Sequence, residues 1–200
     1  LTADHQDASG NNAIQVSRDL TKDTTIPTLS MSSTDAVTVA NASAYVVSGS
    51  CSEIGKQVTL GGDISSPAHF ASQPICSGGS SYTVMVNLVG LADGIINITA
   101  DHQDAMGNNA IQGTTTLTKD TTIPTVSITS THAVNVANNS YYDFSGTCSD
   151  NGEQVTLGGD VGIPAHFSAH PNCSGNTFTI ELNLSSFSDG NINITADHQD

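Results

Sequence analysis

The chain contains no tryptophan, only 4% aromatic residues, and just four basic side chains, Arg18, Lys22, Lys56 and Lys119, against nineteen acids. A formal charge of −15 disfavours nucleic acid and anionic lipid, which bind through phosphates, and makes cations the expected small ligands. No apolar run is long enough to span a bilayer, so no membrane insertion is expected in this segment. The N-terminus also lacks a basic stretch followed by an apolar core, which places any export signal outside the segment. Helical periodicity is missing as well. Threonine, serine, asparagine, valine and isoleucine dominate, the composition of short β-strands joined by polar turns.

One heptad occurs three times: "LTADHQD" at 1–7, "ITADHQD" at 98–104 and again at 194–200. Aligning the copies gives a period of 97, and "LTKDTTIPT" (20–28, 117–125), "TLGGD" (59–63, 156–160) and Cys51 with Cys148 all keep that register. After Cys173 the second copy is one residue shorter, so Tyr82 matches Phe178 and the offset becomes 96. A repeat of this length signals tandem domains of β-sandwich size.

Within one unit, strands are expected at "TVSITS" (125–130), "AVNV" (133–136), "YYDFSGTC" (141–148), "EQVTL" (153–157), "AHFSA" (165–169), "TFTIELNL" (177–184) and "NINITA" (191–196). Phe178, Ile180, Leu182 and Leu184 alternate with polar residues, the pattern of a half-buried antiparallel strand. With the segment equivalent to 110–118, each unit should hold seven or eight strands, as an immunoglobulin-like sandwich requires. The proline of "KDTTIPT" suits an extended linker, and the "DAMGNN" turn belongs inside a hairpin. The expected phase is therefore a last strand of a preceding domain at 1–23, a complete domain at 24–120, and at 121–200 a domain lacking its last strand, completed by following sequence or by a neighbouring chain.

These stretches resemble the bacterial immunoglobulin-like (BIg-type) tandem repeats of large surface adhesins and extracellular fibre proteins. The residues that carry the resemblance are "LVGLADG" (88–94) and "LSSFSDG" (184–190), "ITADHQDAMGNN" (98–109), and "KDTTIPT" (22–28, 119–125), with Ile26 and Ile123 where the family has alanine. The resemblance implies an all-β chain of tandem immunoglobulin-like antiparallel sandwiches and a structural or adhesive role in a rod or filament, with adhesion or biofilm-type matrix contacts. Its expected partners are further copies of the repeat, in one long chain or filament, and a cell-surface receptor or glycan. A calcium-dependent carbohydrate or receptor module, and a subunit that polymerises by strand donation, are the alternative readings. The heptad at both ends means that a donated strand would overlap seven residues already present in the acceptor.

Cys51 with Cys76, and Cys148 with Cys173, are each 25 residues apart, one pair per repeat. Counting strand directions puts both members of a pair near the pole where the domain begins, and no CxxC or CxxH spacing points to zinc. One intradomain disulfide per unit is expected, worth about 3–4 kcal/mol by chain entropy, which implies export through an oxidising compartment to the extracellular surface.

The same parity gathers Asp120, Asp150, Glu153, Asp197 and Asp200 at that pole of the second domain, and Asp23, Glu53, Asp101 and Asp104, with Lys56 intruding, at that of the first. The family resemblance implies calcium at such junctions, and converging carboxylates suit a hard cation. A solvated acidic turn, with aspartate capping the loop backbone, explains the same residues.

No catalytic residues are expected: His5, His102 and His198 have no nucleophile or oxyanion element beside them, and they read, like His69 and His166, as exposed or edge-strand side chains. Sequons stand at Asn41, Asn97, Asn138, Asn172, Asn183 and Asn193. Tyr141 and Tyr142 should pack on the second strand.

Overall fold

The computed structural model describes residues 1–199, which divide into a first unit, Leu1–Thr121, and a second beginning at Thr122. The first opens with a small exposed hairpin, β1 (Thr2–Ala3) and β2 (Val16–Ser17). Next come β3 (Leu29–Met31), β4 (Tyr45–Cys51), β5 (Val58–Gly62), β6 (Ser81–Val86), β7 (Gly94–His102) and β8 (Gly113–Lys119). They form two antiparallel sheets, β3-β4-β6 and β5-β7-β8. Period-two alternation turns Tyr45 and Val47 of β4, and Ile96, Ile98 and Ala100 of β7, into one core with Leu60, Tyr82 and Leu117.

The second unit repeats this plan with β9 (Val126–Ile128), β10 (Tyr142–Cys148), β11 (Val155–Gly159), β12 (Thr177–Leu182) and β13 (Ile194–His198), in sheets β9-β10-β12 and β11-β13. The chain is thus all-β, a tandem of immunoglobulin-like antiparallel sandwiches, each with one disulfide, Cys51–Cys76 and Cys148–Cys173.

Two of the expected strands are absent among the described residues, so the two sandwiches hold six and five strands instead of seven or eight. "AVNV" fails because Asn138 draws it into a turn: its side-chain oxygen accepts the Asn135 N–H (2.7 Å) and its amide donates to the Ala133 carbonyl (3.0 Å). "AHFSA" begins instead as a 3-10 turn, Pro164–His166, where proline sits at a position that needs no N–H donor. Tyr142 packs into the core, as expected of it, but the neighbouring Tyr141 points to solvent.

In each core one large ring lies against a glycine. Tyr82 lies against Gly49, and Phe178 against Gly146, its registered partner on β10. A Cβ at Gly146 would fall 2.0 Å from the Ser127 carbonyl oxygen and 2.3 Å from the Phe178 ring, so only glycine lets ring and strand approach.

Tyr82 donates its hydroxyl to the Ser30 carbonyl (3.1 Å), and burial pushes its phenol from 10 up to about 12. Below pH 10 the phenol is protonated in both folded and unfolded chains. Between about 10 and 12 only the unfolded chain gives up the proton, so stability falls there. Phe178 holds the equivalent place in the second unit. Tyr82→Phe is therefore expected to reduce the loss of melting temperature in alkali, measured by thermal unfolding at pH 9 and at about pH 11.5, and to change little at neutral pH beyond the lost hydroxyl bond.

Candidate functional site

The pole where each unit begins carries nearly every residue that the sequence singles out. Strand direction brings together there the start of β3, the end of β4, the start of β6, and in the other sheet the start of β5, the end of β7 and the start of β8. The disulfide joins the end of β4 to the segment leading into β6, with Cα atoms 5.8 Å apart in the first unit and 5.9 Å in the second. Around it the backbone is tied as well: Cys76 N–H donates to the Lys56 carbonyl and Gly55 N–H to the Cys76 carbonyl, both at 2.8 Å.

The heptad's histidines are a correction to the sequence reading. His5 is exposed, but His102 and His198 are buried, with 3% and 9% of their surface accessible. His102 Nε2 accepts the backbone N–H of Glu53 (3.2 Å), which leaves the ring proton on Nδ1, donated to the Gln57 carbonyl (3.0 Å). His198 repeats this with Asp150 N–H (3.1 Å) and the Gln154 carbonyl (3.4 Å). The Asp150 carboxylate lies 3.7 Å from that same Nε2, but a nitrogen that accepts an N–H carries no proton to make an ion pair. Each buried imidazole thus ties the loop after the cystine strand, which crosses from one sheet to the other, to the end of a strand in the second sheet. The sequence signal was its position: it continues the inward alternation of Ile96, Ile98 and Ala100.

The acids behave as turn builders in the first unit. Asp104 accepts the N–H groups of Met106 (2.9 Å) and Asn108 (2.8 Å) and the Asn108 side-chain amide (2.7 Å), which together hold its carboxyl below the ordinary value, Asn108 foremost. Asp7 makes the same turn with Ser9 and Asn11 in the small N-terminal hairpin. Asp101 accepts the Gln112 amide at 3.0 and 3.2 Å, Glu53 the Ser52 hydroxyl at 3.2 Å, and Asp23 the Thr25 N–H at 2.9 Å. Asp101 and Asp104 border a common groove of about 390 Å³, shared with Lys56.

In the second unit, Glu153 and Asp197 border an equivalent groove of about 600 Å³ with no lysine, while Asp150 accepts the Ser149 hydroxyl at 2.5 Å. Asp120 belongs to the first unit, beyond the far end of β8, where its N–H donates to the Val37 carbonyl; Asp200 lies outside the described residues. Among the described residues, no three histidine, cysteine or acidic side chains are arranged to hold a metal ion. The first unit's acids accept amide and hydroxyl donors, and Lys56 borders the groove that Asp101 and Asp104 line.

At the opposite end of the first unit sits a residue the sequence reading passed over. Lys119, 4% exposed, donates to the Leu91 carbonyl (2.7 Å), Asp93 Oδ1 (2.8 Å) and Thr121 Oγ1 (3.4 Å), and holds the Asp93 carboxyl down at about 2. Its signal was its place at the last inward position of a strand whose alternation buries Leu117.

Because the three heptad histidines differ only in environment, alanine substitution should separate them. His102→Ala removes the partners of the part-buried Glu53 N–H and Gln57 carbonyl and empties a buried side-chain site, and should lower the melting temperature of the first unit. His198→Ala should do so for the second, and His5→Ala should leave both melting transitions unchanged, as read by calorimetry.

No protein-family model matches the chain, and no curated protein matches it by sequence. Among solved structures it is similar to a tetra-tandem repeat from the extending region of a large adhesion protein, at 22% identity and a TM-score of 0.36, over 100% of this chain and 52% of that one. It is also similar to fibronectin(III)-like modules of Clostridium thermocellum CbhA (17% identity, TM-score 0.39, 86% of each chain). A third is the D00-D0 domain of intimin (16% identity, TM-score 0.38, 79% of this chain and 87% of that one). This chain spans about half the length of the first of these.

Proposed function

We propose that the chain is part of a structural, adhesive extracellular protein, a rod or filament of repeated sandwiches at a cell surface, with no enzymatic role. The observation that supports this reading is that the recurring polar residues are consumed by architecture. The heptad's histidine bridges the two sheets, its aspartates accept turn amides, and the cysteines are paired. A catalytic centre needs such groups turned toward a substrate, with a nucleophile or base within reach of it. Two cystines in a chain of this size favour an oxidising compartment, hence export. Adhesive or matrix contacts would then fall to the exposed acidic surface, and further copies of the repeat are its first partners.

Scattering from chains carrying increasing numbers of this repeat is expected to show a maximum dimension growing by roughly 35–40 Å per repeat, the length of a sandwich strand layer. Dimensions that grow only as the cube root of mass would contradict a rod.

Calcium enters this proposal only at the second unit, where Glu153 and Asp197 share a groove without a competing ammonium and Asp200 is the third acid in sequence. Calcium should raise the second unit's melting temperature and leave the first unchanged, and Glu153→Gln should abolish the effect. Equal melting in calcium and in chelator would remove the ion from this account.

A further inference from the structure

The outer face of the β10–β12 ladder gathers polar and aromatic side chains that the fold does not use. Tyr142 and Leu182 are registered partners and face the core. Alternation therefore turns Tyr141, Asp143, Glu181 and Asn183 outward, with Asp143 directly opposite Glu181. The 3-10 turn closes one side of this face. Asn183 N–H donates to the His166 carbonyl (2.7 Å), His166 Nδ1 donates to the Asn183 carbonyl (3.3 Å), and the imidazole packs on Phe187 with ring centres 4.6 Å apart. Between turn and ladder lies a groove of about 380 Å³, lined by Tyr141, Pro164, His166, Ser168, Glu181 and Asn183.

Tyr141 is 75% exposed. Among the described residues its hydroxyl and the carboxylates of Asp143 and Glu181 have neither a hydrogen-bond partner nor an ion pair, whereas Asp101, Asp104 and Glu53 all accept donors. Like charges directly opposite on a ladder destabilise it, and the second unit holds no lysine or arginine to offset them. The first unit keeps the frame and changes the face. Pro67, His69 and Asn87 repeat Pro164, His166 and Asn183, with His69 Nδ1 2.8 Å from the Asn87 carbonyl. Where the second unit has Tyr141, Asp143 and Glu181, however, the first has Ala44, Val46 and Met85.

We propose that this groove binds a sugar residue carrying a free, protonated amino group, one unit of an amine-bearing polysaccharide. The exposed Tyr141 ring offers a flat apolar surface to the C–H face of a pyranose and, at its face, attraction for a cation. Tyr141 and Glu181 are diagonal neighbours, roughly 7–8 Å apart, within reach of one bound ring. The ammonium is drawn to Asp143 and Glu181, whose mutual repulsion it relieves. Sugar hydroxyls donate to Glu181 and to His166 Nε2, the ring nitrogen left without a proton when Nδ1 donates. Asn183 Oδ1 is taken by the N–H and hydroxyl of Ser185 (3.1 and 2.7 Å), which leaves its Nδ2 as a donor to a sugar oxygen. A lysine side chain would answer the carboxylates alone and leave the histidine and the amide idle, so the groove favours the sugar. This rests on the adhesive reading and names its ligand class; the rod is read by scattering, so the two fail separately.

Titration calorimetry of the whole chain at neutral pH with a glucosamine tetrasaccharide tests it, beside the N-acetylated tetrasaccharide and tetralysine. One glucosamine tetrasaccharide is expected to bind per chain, at least about tenfold more tightly than either control, since acetylation removes the charge and lysine lacks the hydroxyls. Tyr141→Ala and Glu181→Gln, both at exposed positions that leave the circular dichroism unchanged, should each weaken binding by about tenfold. No binding of the glucosamine tetrasaccharide overturns the proposal. So does tetralysine binding as tightly, which would make the groove a site for basic peptides. Binding indifferent to both Tyr141→Ala and Glu181→Gln also overturns it, by assigning the affinity to the acidic surface at large.

Discussion

The pairing of β7 with β8 is the interaction on which closure of a unit depends. The first half of β7 has no other strand beside it, so β8 supplies its ladder, and with it Leu117 for the core and Lys119 for the rim. A sheet edge facing water beside an apolar core is unstable in isolation, because neither its backbone groups nor its side chains are covered. The first unit solves this within itself. In the second unit no such strand is found among the described residues; there β13 is five residues against nine for β7, and Val134, the counterpart of the buried Val37, is 41% exposed.

The other pole depends on covalent and polar ties instead. A cystine fixes the end of one strand in the first sheet, and the buried imidazole carries that fixation across to the second sheet. Apolar area is limited in cores of this size, and these ties add rigidity to what burial supplies. The heptad's histidine and the cysteines, residue types common in catalytic sites, here hold the two sheets together.

Much of this was legible in the sequence. The three heptads and the cysteine spacing gave the period and the disulfide partners, because identical residues in identical register carry information that propensity does not. Two strands were misjudged because local side-chain chemistry overrode alternation: Asn138 folded one into a turn, and Pro164 opened the other as a 3-10 turn. His102 was judged by residue type, which favours the surface, when its inward position decided the matter. Lys119 escaped notice for a similar reason, since a lysine reads as surface until its partners, Leu91 and Asp93, are seen to converge from 28 and 26 residues away. Of the acids expected at one pole, Asp120 lies instead beyond the far end of β8. What the acids bind was not legible, because amide partners such as Asn108 and Gln112 are set by turn geometry.

The claim that pairing with β8 closes the sandwich is tested most directly by amide hydrogen exchange. Backbone groups alternate in direction along a strand, and since the Asn97 N–H turns to Asp63, those of Ile96 and Ile98 face β8. The account predicts strong protection at Ile96 and Ile98 and rapid exchange at their counterparts Ile192 and Ile194. Equal protection at the two pairs would contradict it, since the second unit would then be closed without the strand.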